Sequence, residues 1–260
     1  FRTEKDSELT KKIYRNSTII HNDKTGMNDW SLTLLRMFDM SLDSHLFHDT
    51  PQKGDVPLYE AKMFFNYEHR YGNYTNEMIN SGQVNFKIIP TPTNAELQDP
   101  SYFVNPRFTV PKSEVADKIK TINWPYNWFF SYRLITLSVN ERTTIASVLP
   151  YCAVGNSGPL IFFENQNLVD IVCGFGSFNS LVFDYISRQK VGGTNFSFFV
   201  FYQLPILPKT KITKSILSFI VPRIGELTYT SWDIKAFADD VWKEADEDLK
   251  AAITKQWEEN

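Results

Sequence analysis

A chain of 260 residues can bury a sizeable core, as one large domain or two small ones. Its 42% hydrophobic and 15% aromatic residues, 21 of them Phe, exclude a disordered polymer. The formal net charge of −3 excludes a chain that is basic throughout, but the charge is uneven: residues 233–260 hold nine acids and four bases, whereas the other 232 residues carry a net +2. Any basic patch must therefore be local. With only Cys152 and Cys173 and no signal-peptide pattern, a reduced cytoplasmic setting is expected. No apolar run approaches the roughly 18 residues of a membrane helix, and the start at Phe1 rather than Met leads us to expect a piece of a longer protein.

The first 25 residues are polar and mixed. "WSLTLLRMFDMS" (30–41) reads as a strand with a polar end, and "PLYEAKMFFNYEHRYGNY" (57–74) as a strand running into a polar aromatic turn. The five prolines in 89–111 predict a loop. Residues 129–139 and 142–150 read as two strands joined around Asn140-Glu141, and 154–159 as a turn. Between 167 and 189, Leu168, Ile171, Val172, Phe175, Phe178, Val182, Tyr185 and Ile186 recur every three or four residues. That spacing predicts one helix, closed by Gly192-Gly193. The unbroken apolar run 196–202 predicts a buried strand. Residues 203–208 read as a hinge, and 212–225 and 233–258 as helical. Without a regular βαβ repeat, the expected class is mixed α/β, or α+β.

Several motifs suggest chemistry and have a plainer reading beside it. "LVDIVCGFGSF" (168–178) holds Gly174-x-Gly176, the kind of turn that lets a backbone approach S-adenosylmethionine. The apolar spacing, however, runs through both glycines, which fits small residues at a close helix contact. "NPRF" (105–108) is a near match to the Asn-Pro-Pro-aromatic motif of amino-methylating enzymes, with Arg107 in place of the second proline. His45 and His48 share an i, i+3 spacing but lack the further ligands a metal site needs. Cys152 has no evident partner base.

Three polar stretches favour binding instead. Residues 59–74 interleave Lys62, Asn66, His69 and Arg70 with tyrosines; "NERTT" (140–144) sets Asn140 and Arg142 between apolar strands; and 187–195 places Arg188 and Lys190 beside the amides of Gly192, Gly193 and Thr194. Cations with exposed amides suit phosphates, and Asn, Gln and Arg suit base edges.

"LTKKIYRN", "LLRMFDMSLDSHLF", "PLYEAKMFFNYEHRYGNY", "YRLITLSVNERTTIASVLPYCAVGNSGPL" and "NSLVFDYISRQKVGGTNFSFFVFYQLPILP" follow one another in this order. Together they resemble the C-terminal half of large adenine-specific DNA methyltransferases of the type IIG restriction–modification kind and their phage-defence relatives. That half holds a target-recognition domain similar in fold to those of type I specificity subunits. The resemblance spans residues 9 to 208 and is most specific in 140–160 and 179–208.

It implies a recognition domain over 1–208 and a C-terminal helical segment with an acidic tail over 209–260. It also implies double-stranded DNA as partner, and an upstream methyltransferase domain that holds the S-adenosylmethionine and the Asn-Pro-Pro-Tyr motif. No cofactor and no catalytic residue then belongs to this segment. Lys62, Arg70, Arg142, Arg188 and Lys190 would meet phosphates, assisted by Thr194 and the amides of Gly192 and Gly193. Asn66 and Asn140 would meet base edges, while Arg142 and Lys190 have the alternative of a structural ion pair. The chain departs from the family in a shorter 75–106 and in showing no nuclease motif. Two other readings stay open: a complete small methyltransferase using Gly174 and Gly176, and a protein-interaction module docking through its aromatic surface and acidic tail.

Overall fold

A computed structural model describes residues 3–83 and 86–259, and among these the chain is mixed α+β, with ten helices and three small sheets. The polar start is a helix, α1 (Glu4–Arg15). The Thr3 hydroxyl accepts the Asp6 N–H, acids occupy its first turn, and Lys12 and Arg15 its last. This arrangement complements the helix dipole. Only Thr10 of α1 is buried, so its sequence carries little apolar signal. Two short sheets follow from the next elements. β1 (Thr18–Ile19) pairs with β9 (Pro205–Ile206), and β3 (Asp55–Tyr59) lies between β4 (Thr109–Pro111) and β7 (Ala153–Val154). Residues 203–208, expected to be a hinge, thus lie partly in a buried strand against the N-terminal region. The expected loop 89–111 contains α3 (Asn94–Gln98), which follows α2 (Asn76–Asn80), and β4; α4 (Lys112–Ile119) comes directly after.

The central antiparallel sheet has the order β2 (Leu32–Leu35), β8 (Leu160–Phe163), β5 (Trp128–Tyr132), β6 (Ala146–Pro150). The two strands expected around Asn140 are β5 and β6, paired with Phe130 opposite Val148, but the connection is longer than a hairpin turn and spans 133–145. Every residue of β5, β6 and β8 is buried. Alternation puts Trp128, Phe130 and Tyr132 on one face of β5. There Phe130 stacks on Phe175 with ring centroids 4.4 Å apart, Trp128 meets Phe237 at 5.0 Å, and Tyr132 meets Phe201 at 4.5 Å.

The single helix expected over 167–189 is two: α5 (Leu168–Phe178) and α6 (Leu181–Lys190), bent by 56°. The break comes at Asn179-Ser180, where the Ser180 hydroxyl accepts the Phe183 N–H and starts a new helix. The glycines do not cap α6 in a left-handed conformation: Val191 is the extended cap residue, and neither Gly192 nor Gly193 has a positive φ. The expected strand 196–202 is instead α7 (Phe198–Tyr202), capped by Ser197. A short continuous apolar run is equally compatible with a buried helix, and here Phe201 enters the core while Phe199 is exposed.

The chain closes with α8 (Lys214–Thr228), α9 (Lys235–Glu244) and α10 (Glu247–Glu258), the last two separated where Asp246 caps α10. These helices share the core of the preceding residues. Phe237 packs on Trp128, and Asp240 accepts the Trp128 indole N–H.

Candidate nucleic-acid interface

α6 and the 133–145 connection are joined by one buried carboxylate from the first turn of α6. Asp184 Oδ1 accepts the N–H of Thr143 at 2.7 Å and of Thr144 at 2.8 Å, while Oδ2 accepts Arg188 Nε at 2.8 Å. Arg188 lies one helical turn from Asp184 and continues across to the carbonyls of Ser138 (3.1 Å) and Glu141. Arg142 approaches the same carboxylate at 3.6 Å and donates to the Asn179 carbonyl at 2.6 Å. The Asn179 side chain in turn bridges both backbone groups of Ala146. Asp184 thus has two cations and two amides around it, which compensates its burial. The consequence for function is direct. Arg142 and Arg188, expected on phosphates, are committed to holding the 133–145 connection on α6.

The free polar groups lie just beyond. Lys190 is exposed and makes no hydrogen bond or ion pair among the described residues. The exposed residues Gly192, Gly193 and Thr194 follow, and their N–H groups find no acceptor among the described residues. A Cβ built on either glycine would meet nothing within 4 Å, so open space surrounds this backbone. The loop is fixed to the connection opposite: the Thr136 N–H donates to the Thr194 carbonyl at 3.1 Å, the Phe196 N–H donates to the Leu134 carbonyl at 2.7 Å, and Ile135 bridges Asn195. Asn140 sits at the exposed tip of the connection, its Nδ2 donating to Thr136 Oγ1 at 3.5 Å while its Oδ1 has no partner among the described residues. Between them Ile135, Leu137 and Val139 are exposed at alternating positions, a strip the expected strand did not reveal as surface. A cleft of about 800 Å³ lies beside α6, between Asp6 and Tyr14 of α1 and Ser138, Arg188, Gln189 and Lys190.

The remaining predicted contacts do not join this surface as free groups. Arg70 is fully buried. Its guanidinium donates to the carbonyls of Asp99, Tyr102, Leu97 and Thr230 and to Glu68. No donor is left for a phosphate, so Arg70 is a structural cation. Lys62 donates to the Phe86 carbonyl at 2.7 Å and pairs with Glu60 at 3.0 Å. Asn66 donates to Asn179 Oδ1 at 2.6 Å and to the Thr144 carbonyl, and its own Oδ1 is buried without a partner. A base edge cannot reach it there.

Asp184, Asn179 and Arg133 were missed in the sequence. Arg133 lies over the rings of Phe65 and Tyr71, each at 5.3 Å, and donates to the Phe64 carbonyl. Burial pulls its pKa down to about 10. One signal could have found Asp184: an acid on the apolar face of a helix, four residues before an arginine.

The other chemistries find no support in the geometry. Gly174 and Gly176 lie mid-helix in α5, where a Cβ on Gly174 would stand 2.8 Å from the Trp30 ring and one on Gly176 3.1 Å from Ile220. They are close-packing glycines, which removes the cofactor-turn reading of this motif. His48 Nδ1 pairs with Asp55 Oδ2 at 2.8 Å, and no group of three or more His, Cys, Asp or Glu is gathered for a metal among the described residues. Burial pushes the Cys152 thiol well up, and the Cys173 thiol up to about 11. Neither is an activated thiolate.

The fold is mixed α+β, and its 190–195 loop, whose 192–194 amides and Lys190 have no partner among the described residues, is pinned against an exposed aliphatic strip. No single helix among the described residues is long and apolar enough to cross a membrane. No family model matches the chain, and no curated protein matches it.

Proposed function

We propose that this chain is a double-stranded DNA recognition domain of an adenine-N6 DNA methyltransferase, of the restriction–modification or phage-defence kind. It would work beside a separate S-adenosylmethionine-binding catalytic domain. The observation that carries the reading is the exposed 190–195 loop, where Lys190 and three free N–H groups stand together. Cationic side chains and unpaired backbone amides are the groups proteins use to anchor on phosphates. Asn140 at the facing tip has the chemistry to read a base edge, and Ile135, Leu137 and Val139 offer apolar contact to thymine methyl groups. The two sequence blocks in which the family resemblance is most specific are the two that Asp184 binds together.

The mechanism is a division of labour. A methyltransferase must take the target adenine out of the duplex before the methyl group reaches its exocyclic amine. A catalytic domain grips the duplex from one side, and the recognition domain closes the other. Within this chain Lys190 and the 192–194 amides would hold the backbone, while the Asp184–Arg142–Arg188 clamp keeps the two loops at a fixed spacing.

Fluorescence-anisotropy titration of the chain with a labelled duplex, over a series of salt concentrations, tests this. The reading predicts an affinity that falls steeply with salt, and for Lys190→Ala a slope of log K against log salt reduced by about 0.9. Binding at low salt no tighter than that of a neutral control protein would sink it.

A further inference from the structure

The half-buried guanidinium of Arg133 has no carboxylate beside it. Arg70 pairs with Glu68, and Arg142 and Arg188 share Asp184. Arg133 forms no ion pair among the described residues, and its N–H groups have one acceptor there, the Phe64 carbonyl, which takes both Nε (2.9 Å) and Nη2. The rings of Phe64, Phe65 and Tyr71 lie 5.9, 5.3 and 5.3 Å from the guanidinium carbon, and Phe65 and Tyr71 stack on each other at 4.8 Å. Cation–π attraction steadies the group, while burial works against its charge. Charges withdrawn from water are ordinarily paired, and this one is not.

Its unused edge is well defined. The Phe64 carbonyl occupies the side that carries Nε, which leaves the end-on edge with one N–H each from Nη1 and Nη2. Nη1 has no acceptor among the described residues and is not sealed from solvent. The backbone sets where this edge stands. Leu134 and Thr136 are buried, whereas Ile135, Leu137 and Val139 are exposed, so alternation puts Arg133 at the head of the exposed row. The Leu134 carbonyl and the Thr136 N–H fasten that row to residues 194–196, beside the Lys190 loop.

Two parallel N–H groups in one plane match a pair of acceptors, which guanine presents as O6 and N7 and a phosphate as two oxygens. The surroundings favour the base. Phe65, Tyr71 and Ile135 suit base edges and thymine methyl groups, while the phosphate-type groups, Lys190 and the 192–194 amides, stand on the neighbouring loop. Adenine sets an N6 donor beside its N7 acceptor and would oppose N–H to N–H. We propose that Arg133 is a specificity-determining residue that reads one guanine of the target duplex through O6 and N7, with Phe65 and Tyr71 fixing the plane of its guanidinium. The inference rests on the DNA-recognition reading and adds a base to it.

The test is a selection of the full chain against a duplex library randomised over its central positions, followed by titration of the enriched duplex. For the parent chain we expect one invariant guanine, and a roughly tenfold loss of affinity when 7-deazaguanine, which lacks the N7 acceptor, replaces it. Arg133→Lys keeps the charge but loses the planar fork. It should bind the guanine duplex and its adenine counterpart within about twofold of each other. A phosphate contact would instead leave the guanine preference intact and weaken all duplexes alike, which overturns the proposal. Tyr71→Leu, at a partly exposed ring, provides a second variant should Arg133→Lys lose its circular dichroism signal. It removes one ring from the guanidinium and should shrink the 7-deazaguanine penalty; an unchanged penalty overturns the proposal. Binding that falls steeply with salt but selects no guanine overturns this inference alone, whereas no duplex binding at low salt removes the DNA reading with it.

Discussion

Arg70 and Lys190 are both cations beside aromatic or amide-rich sequence, yet their surroundings are opposite. Arg70 is enclosed: four carbonyls and Glu68 use its guanidinium, and it ties 66–74 to the 97–102 loop and to Thr230 before α9. Lys190 ends a helix in solvent, next to amides that nothing in the described chain satisfies. The difference teaches that a cation's role follows from how many acceptors the fold has already given it. A guanidinium with five donors can organise converging loops, whereas a free ammonium beside free N–H groups is available to an anion.

The comparison breaks most readily at Arg70. Arg70→Ala should destabilise the chain by roughly 3–5 kcal/mol, because it strands Glu68 and several buried carbonyls; denaturant unfolding measures this. A variant that kept its stability but lost DNA affinity would place Arg70 with Lys190 instead. Asp184→Ala should cost about 3 kcal/mol in the same measurement, since it leaves two arginines and the Thr143 and Thr144 N–H groups uncompensated. Gly174→Ala should cost about 1–3 kcal/mol through overlap with the Trp30 ring, read as a lowered melting temperature.

The smallest effect concerns pH. Burial raises the Asp233 pKa, but hydrogen bonds from His69 and Ser231 and the charge of Arg70 outweigh it and leave the carboxyl below its ordinary value. The unfolded chain therefore takes up this proton first. The stabilisation is complete above the ordinary carboxylate range and is lost as pH falls through it toward the folded value. Asp233→Asn should flatten the acid limb of a stability–pH curve.

The sequence made some of this legible. The strands around Asn140, the strand at 57, the close-packed Gly174 and Gly176, and the mixed class all follow from period and spacing, and the structure has them. Helix ends were harder. Asn179-Ser180 looks like two small polar residues inside an apolar rhythm, and only the Ser180 hydroxyl bonded to the Phe183 N–H reveals a new start. The run 196–202 has no period to separate a strand from a helix. At the site, residue type indicated which side chains are polar but not which are already paired. Pairing depends on contacts between residues about 40 to 160 positions apart, such as Asp184 with Thr143 and Arg70 with Thr230. Lys190 and the 192–194 amides remain free because no such partner among the described residues reaches them.

The central claim is that one set of amides holds the fold while an adjacent set is free for DNA. Amide hydrogen exchange, with and without a duplex, measures both at once. The account predicts slow exchange at Thr143 and Thr144 in both states, and fast exchange at Gly192, Gly193 and Thr194 that slows when duplex is added. Exchange at 192–194 unchanged by a duplex that binds elsewhere on the chain would contradict it.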